Sequence, residues 1–296
     1  MIFHLLSFNA FDPIVWVPFV FVFAMGAVIG SFLNVVIHRL PREESIVYPN
    51  SACPSCQTAI KPYDNVPILG WLILGGRCRN CRSKISPRYP AVELLTAILF
   101  TGAFLHDGLN PVLPFSFAFI AALIALIFID AEHMILPDAI NFPFLAIAII
   151  ARILLPAVTG LPVFDDLNHS PLANLNQPLW LVSIFGAVLG ALTGGGSLWL
   201  IGWIWKKLRG VDAMGLGDVK MMLWVGAFLG WRLTLLTLFL GAFTGALAGM
   251  AFILLRKERD LQTQIPFGIF LGLGALAAFF FGEHLINWYL NAFVPS

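Results

Sequence analysis

Long stretches with almost no charged residues recur along the chain, and they restrict its fold more than any other feature. A helix needs about 20 consecutive apolar residues to cross the hydrocarbon core of a bilayer. Of the 296 residues, 59% are hydrophobic and only 11% are charged, whereas about 25% of the residues in a soluble domain are charged. The sequence therefore predicts an all-α membrane protein that crosses the lipid bilayer several times.

The apolar stretches predict about eight transmembrane helices. Their approximate bounds are 15–37, 91–106, 113–130, 135–156, 179–205, 218–231, 233–255 and 265–290. We expect the chain to comprise a first transmembrane helix (1–37), a polar cytoplasmic loop (38–90) and a seven-helix membrane core (91–296).

The positions of the basic residues predict the orientation of these helices. Lys and Arg are more frequent in loops on the cytoplasmic side of a membrane. If the N-terminus lies outside, the inner loops are 38–90, 131–134, 206–217 and 256–264. With their flanking residues these loops hold fifteen of the seventeen Lys and Arg residues, and only Arg152 and Arg232 fall outside them. The loop 157–178 then faces outward.

All four cysteines of the chain lie in the polar loop, as two Cys-x-x-Cys pairs. The pairs are Cys53 with Cys56 and Cys78 with Cys81, and 21 residues separate them. Two such pairs supply four thiolates, which suits tetrahedral Zn²⁺. Disulfides are disfavoured in a reducing cytoplasm. We expect a structural zinc site; a redox dithiol and an iron–sulfur cluster are the alternatives.

Two aspartates lie where apolar stretches meet the cytoplasmic side, Asp130 at the end of one and Asp218 at the start of another. An ionisable residue at this depth is costly and usually marks a functional site. Two neighbouring carboxylates cannot both ionise easily, so such a pair shares a proton and can activate water against a peptide bond. The alternative roles are structural: Asp218 as a helix N-cap and Asp130 as a solvated helix end.

Several residues around these aspartates are supporting or alternative candidates for the site. Gly215 and Gly217 flank the second aspartate and leave the backbone free to bend tightly and to approach a substrate chain. Lys220 follows it, and Asp138, after a proline, is an alternative member of the catalytic pair. A proton-coupled transporter and a non-catalytic assembly factor remain rival interpretations.

The order of motifs resembles that of the bacterial type IV prepilin peptidases, including the leader peptidases of type II secretion. The resemblance covers nearly the whole chain. It is carried by the stretches 30–41 (GSFLNVVIHRLP), 85–90 (ISPRYP), 93–96 (ELLT), 130–138 (DAEHMILPD) and 215–220 (GLGDVK), together with the two cysteine pairs.

This resemblance implies a bifunctional enzyme of the bacterial inner membrane with its active site at the cytoplasmic face. The family's catalytic aspartates correspond to Asp130 and Asp218. The family removes a short basic leader from type IV prepilins or type II secretion pseudopilins after a glycine. It then methylates the new N-terminal residue with S-adenosylmethionine. A member with peptidase activity alone is the nearest alternative, and no nucleic-acid partner is expected.

The methyltransferase site leaves little signal in the sequence. No Gly-x-Gly-x-x-Gly motif of a dinucleotide-binding fold is present. Asn34, Arg39 and Glu43 are weak candidates for contacts with the cofactor or substrate. Arg39 also suits an anchor at the membrane interface, and Asn34 also suits a hydrogen bond between helices.

Overall fold

The computed structural model describes residues 13–160, 164, 177–211, 214–255 and 266–293. Within these residues the chain is helical, and its only β-structure is two isolated bridges in the polar loop. Two compact units are distinguished, Met1–Ala125 and Leu126–Ser296. The predicted all-α class is confirmed. The predicted inner loop 256–264 and most of the predicted outer loop 157–178 lie outside the described residues.

The described part of the chain contains ten α-helices. They are α1 (Pro13–Arg39), α2 (Leu69–Ile73), α3 (Arg88–Asp107), α4 (Leu113–His133), α5 (Asp138–Thr159), α6 (Leu179–Ala191), α7 (Ser197–Arg209), α8 (Leu216–Leu229), α9 (Trp231–Leu255) and α10 (Phe267–Phe293). A π-helical turn, Leu192–Gly196, joins α6 to α7. Short 3₁₀ helices occur at Leu40–Arg42 and Pro62–Asp64.

Each predicted transmembrane stretch corresponds to a helix in the described residues, but the helices differ in length. Among the described residues, seven helices are long and apolar enough to cross a membrane, with α6 and α7 counted together. The remaining predicted span corresponds to α8, which has only 14 residues. At about 1.5 Å per residue it is shorter than the hydrocarbon core. Most of α8 is buried by other helices, so its length does not have to match the lipid.

In the first unit, α1 and α3 pack closely along their length. The close approach depends on two glycines of α1. A Cβ atom at Gly26 would lie 2.7 Å from Cα of Ala97, and one at Gly30 would lie 2.7 Å from Cα of Glu93. Small residues allow this kind of helix contact in membranes. The polar loop connects the two helices through α2.

In the second unit, α8 lies at the centre and contacts α5, α6, α9 and α10. Arg152 of α5 is fully buried, and its guanidinium donates to the carbonyl oxygens of Ala227 and Phe228 at 2.9 Å. It also lies 4.0 Å from the ring centroid of Phe164. A cation at a helix C-terminus satisfies otherwise unpaired carbonyls and interacts favourably with the helix dipole. Arg152 thus fixes the end of α8 opposite Asp218.

Candidate functional site

Asp130 lies in the last turn of α4 and is only 5% exposed. Its Oδ2 accepts a hydrogen bond of 3.1 Å from the backbone N–H of Ile269. Ile269 is the third residue of α10, whose first backbone N–H groups have no partner within the helix. The positive end of a helix dipole also favours a negative charge. The start of α10 therefore binds the Asp130 carboxylate.

Asp218 lies in the first turn of α8 and is partly buried. The N-cap of this helix is Gly215, whose backbone is extended with φ −71° and ψ 141°. The alternative role of Asp218 as an N-cap is therefore wrong, because its backbone is already helical. Its carboxylate interacts electrostatically with that of Asp130. The structure thus brings together two carboxylates that are 88 positions apart in the sequence.

Leu136, in the turn between α4 and α5, fills the space beside the two aspartates. A Cβ atom at Gly217 would lie 2.9 Å from Cβ of Leu136. A Cβ atom at Gly268 would lie 3.1 Å from Cδ1 of Leu136 and 2.8 Å from Oδ2 of Asp130. These two positions have no room for a side chain. A Cβ atom at Gly215, in contrast, would have no neighbour closer than 3.7 Å.

Asp138 and Lys220 form an ion pair between α5 and α8. The Nζ of Lys220 lies 2.8 Å from both carboxylate oxygens of Asp138, and it lies 5.4 Å from the ring centroid of Phe142. The side chains of Asp138 and Lys220 are 53% and 31% exposed. The structure therefore pairs Asp138 with a lysine, whereas the carboxylate that interacts with Asp218 is Asp130.

A buried polar contact near the site was not anticipated from the sequence. The indole Nε1–H of Trp224 in α8 donates to Oδ1 of Asn141 in α5 at 3.0 Å. The Nδ2 of Asn141 donates to the backbone carbonyl of Leu136 at 3.1 Å. Asn141 could have been noticed as an amide within an apolar stretch, since such residues often form hydrogen bonds between helices. That its partner is Trp224, 83 positions away, could not have been inferred from the sequence.

The four cysteine sulfurs converge in the polar loop. They lie within 4.8 Å of one another, and none of the four forms a disulfide in the described structure. The Sγ atoms of Cys53 and Cys81 are 3.7 Å apart. Sulfurs at the corners of a tetrahedron, each about 2.3 Å from a central zinc ion, are about 3.8 Å apart. The cluster therefore has the dimensions of a tetrahedral metal site.

The two cysteine pairs fold into matching turns. In the first, Gln57 N–H donates to the carbonyl of Cys53, and in the second, Arg82 N–H donates to the carbonyl of Cys78. Gln57 and Arg82 both have left-handed backbones, with φ 56° and 60°. Each turn is closed by one antiparallel bridge, Ala52 with Ala59 and Arg77 with Lys84. This repeated geometry directs all four sulfurs to one point.

Hydrogen bonds to sulfur favour the thiolate form of Cys53 and Cys56. The backbone N–H of Cys56 and the hydroxyl of Ser83 lower the pKa of the Cys53 thiol to about 6, against the effect of burial. The Thr58 hydroxyl lowers the pKa of Cys56. The backbone N–H groups of Cys81 and Asn80 lower the pKa of Cys78, but burial and the neighbouring side chains of Cys53 and Cys81 outweigh them, so the pKa of Cys78 is instead raised. Thiolates are the form that binds metals.

The loop is attached to the α1–α3 pair by a buried carboxylate. Oε2 of Glu93 accepts the backbone N–H of Ile68 at 2.6 Å, and Glu93 is 8% exposed. Ile68 has φ 62° and ψ −55°, which is unusual for a β-branched residue. The sequence analysis matched Glu93 only as part of a family motif and assigned it no role. In the structure it connects this part of the loop to α3.

The three weak methyltransferase candidates differ in their surroundings. Asn34 is 3% exposed; its Nδ2 donates to the carbonyl of Tyr89 at 3.0 Å, while its Oδ1 has no partner in the described structure. Arg39 donates to the backbone carbonyls of residues 45 and 49, so it orders the start of the loop. Glu43 is exposed, with a left-handed backbone at φ 58°.

Two family models match the chain in order. The bacterial peptidase A24 N-terminal domain matches residues 24–106, and the type IV leader peptidase family matches residues 117–250. The chain is 34% identical to a prepilin leader peptidase/N-methyltransferase of Pseudomonas aeruginosa over 97% of this chain and 98% of the relative. A protein of the same name from Aeromonas hydrophila is 36% identical, over 94% and 96%. The chain belongs to the type IV leader peptidase family.

A Burkholderia pseudomallei member of the family is 33% identical, covering 88% of this chain and 85% of its own. No solved structure matches the chain. The region that matches the bacterial peptidase A24 N-terminal domain includes the cysteine cluster and Glu93. The region that matches the type IV leader peptidase family includes Asp130 and Asp218. The predicted family and its enzyme class are confirmed, which favours an enzyme over a transporter or an assembly factor.

Proposed function

We propose that the chain is a membrane aspartic endopeptidase in which Asp130 and Asp218 form the catalytic pair. The observation that carries this proposal is that both aspartates lie beside Leu136, which contacts Gly217, the neighbour of Asp218, and Gly268, which in turn contacts the Asp130 carboxylate. Asp130 is buried and accepts a hydrogen bond from the backbone N–H of Ile269. Among the described residues, no lysine or arginine forms an ion pair with either aspartate. The charged group with which each carboxylate interacts is therefore the other carboxylate.

The chemistry of such a pair follows from one shared proton. Both carboxylates cannot be charged at close range without a large electrostatic cost, so one is protonated while the other is ionised. The ionised member accepts a proton from water as the water oxygen attacks the scissile carbonyl carbon. The protonated member donates to the carbonyl oxygen, and a proton passes to the leaving amine when the C–N bond breaks. The pair titrates as a unit, so these roles belong to the dyad.

The substrate class follows from the family. We propose that the chain cleaves type IV prepilins or type II secretion pseudopilins after a glycine that ends a short basic leader. The predicted orientation has both aspartates at the cytoplasmic edge of the inner membrane, where a basic leader meets an apolar transmembrane segment. Gly217 and Gly268 border the site and carry no side chains, which suits close approach of an extended peptide backbone.

We further propose that the chain methylates the new N-terminal amine. Bound S-adenosylmethionine would supply an electrophilic methyl group to that amine. Among the three weak candidates, Asn34 fits a role in holding the cofactor, because its buried Oδ1 is an acceptor without a partner. Such a group favours a ligand that donates a hydrogen bond. Arg39 instead supports the loop, since its guanidinium already binds two backbone carbonyls.

Zinc is the metal we propose for the four-cysteine cluster. The sulfur separations and the two matching turns fit tetrahedral Zn²⁺. The loop has few buried apolar residues, so metal binding would provide much of the free energy of its folding. We assign zinc a structural role in the loop, separate from the aspartate chemistry.

The deciding experiment is cleavage of a prepilin in membranes that contain wild type, Asp130→Asn or Asp218→Asn, with S-adenosylmethionine supplied. Each substitution keeps the side-chain size but removes the titrating carboxylate, so we expect cleavage to fall by at least about a thousandfold. Asp107→Asn, at the end of α3 in the other unit, is the matched control.

Two other results would change the proposal. Normal cleavage by either variant would remove that aspartate from the dyad, and loss of cleavage in Asp138→Asn would make Asp138 the alternative. Mass spectrometry of the product separates the two activities: an unmethylated product from wild type would indicate a member with peptidase activity alone.

A further inference from the structure

Two consecutive hydrogen bonds connect α8, α5 and the turn beside the aspartates. They run from Trp224 through Asn141 to the carbonyl of Leu136, with donor–acceptor distances of 3.0 and 3.1 Å. Trp224 and Asn141 are each 1% exposed. Loss of Trp224 or Asn141 would leave the other without this hydrogen-bond partner, and an unsatisfied buried polar group costs stability.

Leu136, where this hydrogen-bond network ends, lies at the aspartate site. Leu136 belongs to the four-residue turn that connects α4, which carries Asp130, to α5. The hydrogen bond from Asn141 fixes its backbone, and its side chain fits between Gly217 and Gly268. One glycine immediately precedes Asp218, and the other contacts the carboxylate of Asp130. Leu136 thus separates the start of α8 from the start of α10.

Trp224, at the other end of this hydrogen-bond network, lies on the same helix as Asp218. Trp224 follows Asp218 by six residues on α8, so its contact with α5 limits sliding and rotation of that helix. A displacement of about 1 Å at reacting groups can reduce a rate by about a hundredfold. Protein interiors are packed too tightly to absorb such a shift without moving the neighbouring groups.

We propose that Trp224 and Asn141 are positioning residues for the proposed peptidase reaction and act through Leu136. Their hydrogen bonds hold Leu136 between the two glycines and thereby set the separation of the Asp130 and Asp218 carboxylates. Neither residue touches the reacting atoms. This inference rests on the proposed aspartate dyad and extends it to a supporting network.

The test uses the full-length enzyme purified in one detergent, with a prepilin as substrate. Trp224→Phe removes the indole donor but keeps an aromatic ring, and Asn141→Ala removes both hydrogen bonds. For each variant we expect kcat to fall about tenfold or more while KM stays within about twofold of wild type, because alignment is lost and substrate contacts are kept. Trp288→Phe, at an exposed position of α10, is the matched control.

A double-mutant cycle distinguishes positioning from general destabilisation. Leu136→Ala should lower kcat to a similar extent, and adding Trp224→Phe to it should produce little further loss, since both act through one contact. A purely structural role would instead give multiplicative losses and a fall in kcat that follows the melting temperature. If Trp224→Phe retains wild-type kcat, or if the losses multiply, the positioning role is wrong.

The two proposals fail in different ways. If Asp130→Asn and Asp218→Asn still cleave normally, the dyad itself is wrong. If both aspartate variants are inactive while Trp224→Phe and Asn141→Ala match wild type, only the positioning network is wrong.

Discussion

The backbone N–H of Ile269 donates a hydrogen bond to the carboxylate of Asp130, although 139 positions separate the two residues. The contact places Asp130 at the N-terminus of α10, where the helix dipole favours negative charge. The same contact restricts the residue type that can precede Ile269. Gly268 is buried against the same carboxylate and against Leu136, so this position must lack a side chain.

Gly268→Ala should therefore impair the enzyme. The added methyl group would lie 2.8 Å from Oδ2 of Asp130, which is too close without movement of the carboxylate. We expect cleavage to fall by about a hundredfold, the effect of a misplacement of about 1 Å. Gly202→Ala is the control, because its new methyl group would have no neighbour closer than 3.9 Å. Equal activity of the two variants in a prepilin cleavage assay would contradict this account of the site.

Removal of the metal should unfold the cysteine loop. In Cys53→Ser and Cys81→Ser, the loss of one of four ligands should reduce bound zinc, measured by elemental analysis of the purified protein. Limited proteolysis should then cut within 38–90 in these variants and in chelator-treated wild type. Ser55→Ala, between the first two cysteines, should keep the metal. Full metal content in the serine variants would show that the cluster is not the zinc site.

Glu93→Ala should loosen the attachment of the loop to the α1–α3 pair. The backbone N–H of Ile68 would lose its acceptor, at a cost of about 1–3 kcal/mol. Hydrogen exchange of the segment around Ile68 should become faster, while Glu93→Gln, which keeps an acceptor oxygen, should lie closer to wild type. Unchanged exchange in Glu93→Ala would mean that other contacts hold this segment.

Arg152→Met should destabilise the second unit. Met has similar bulk but cannot donate to the carbonyls of Ala227 and Phe228, and hydrogen bonds from a charged group contribute about 1.5–3 kcal/mol each. We expect a lower melting temperature in detergent. Arg209→Met, at the exposed end of α7, should have little effect. A melting temperature equal to that of wild type would argue against a role of Arg152 in holding α8.

The sequence predicted the helices well because hydropathy is a local property. Each apolar stretch, taken alone, must form a helix in a bilayer so that its backbone groups are paired. The cysteine cluster could be predicted equally well, since two short motifs supply all four sulfurs and a single tetrahedral metal site accommodates them. The two aspartates were recognisable because charge is rare in such stretches.

Other features depended on contacts between distant segments. Local sequence indicated that α8 is short but could not reveal that it is buried, because a buried helix and a lipid-facing helix are both apolar. Asp218 looked suited to an N-cap, yet the helix begins at Leu216, with Gly215 as its cap. The partner of Asp138 also required the fold, since Lys220 is 82 positions away.

By itself the sequence determined the class of the protein, the positions of its helices, the metal-binding pattern and the two carboxylates. These follow from the composition and spacing of neighbouring residues. Only the tertiary structure decided that the start of α10 binds Asp130, that Leu136 separates Gly217 from Gly268, and that Trp224 reaches Asn141. The reason is that helix packing depends on the shapes of whole helix faces, and many alternative packings are compatible with the same apolar stretches.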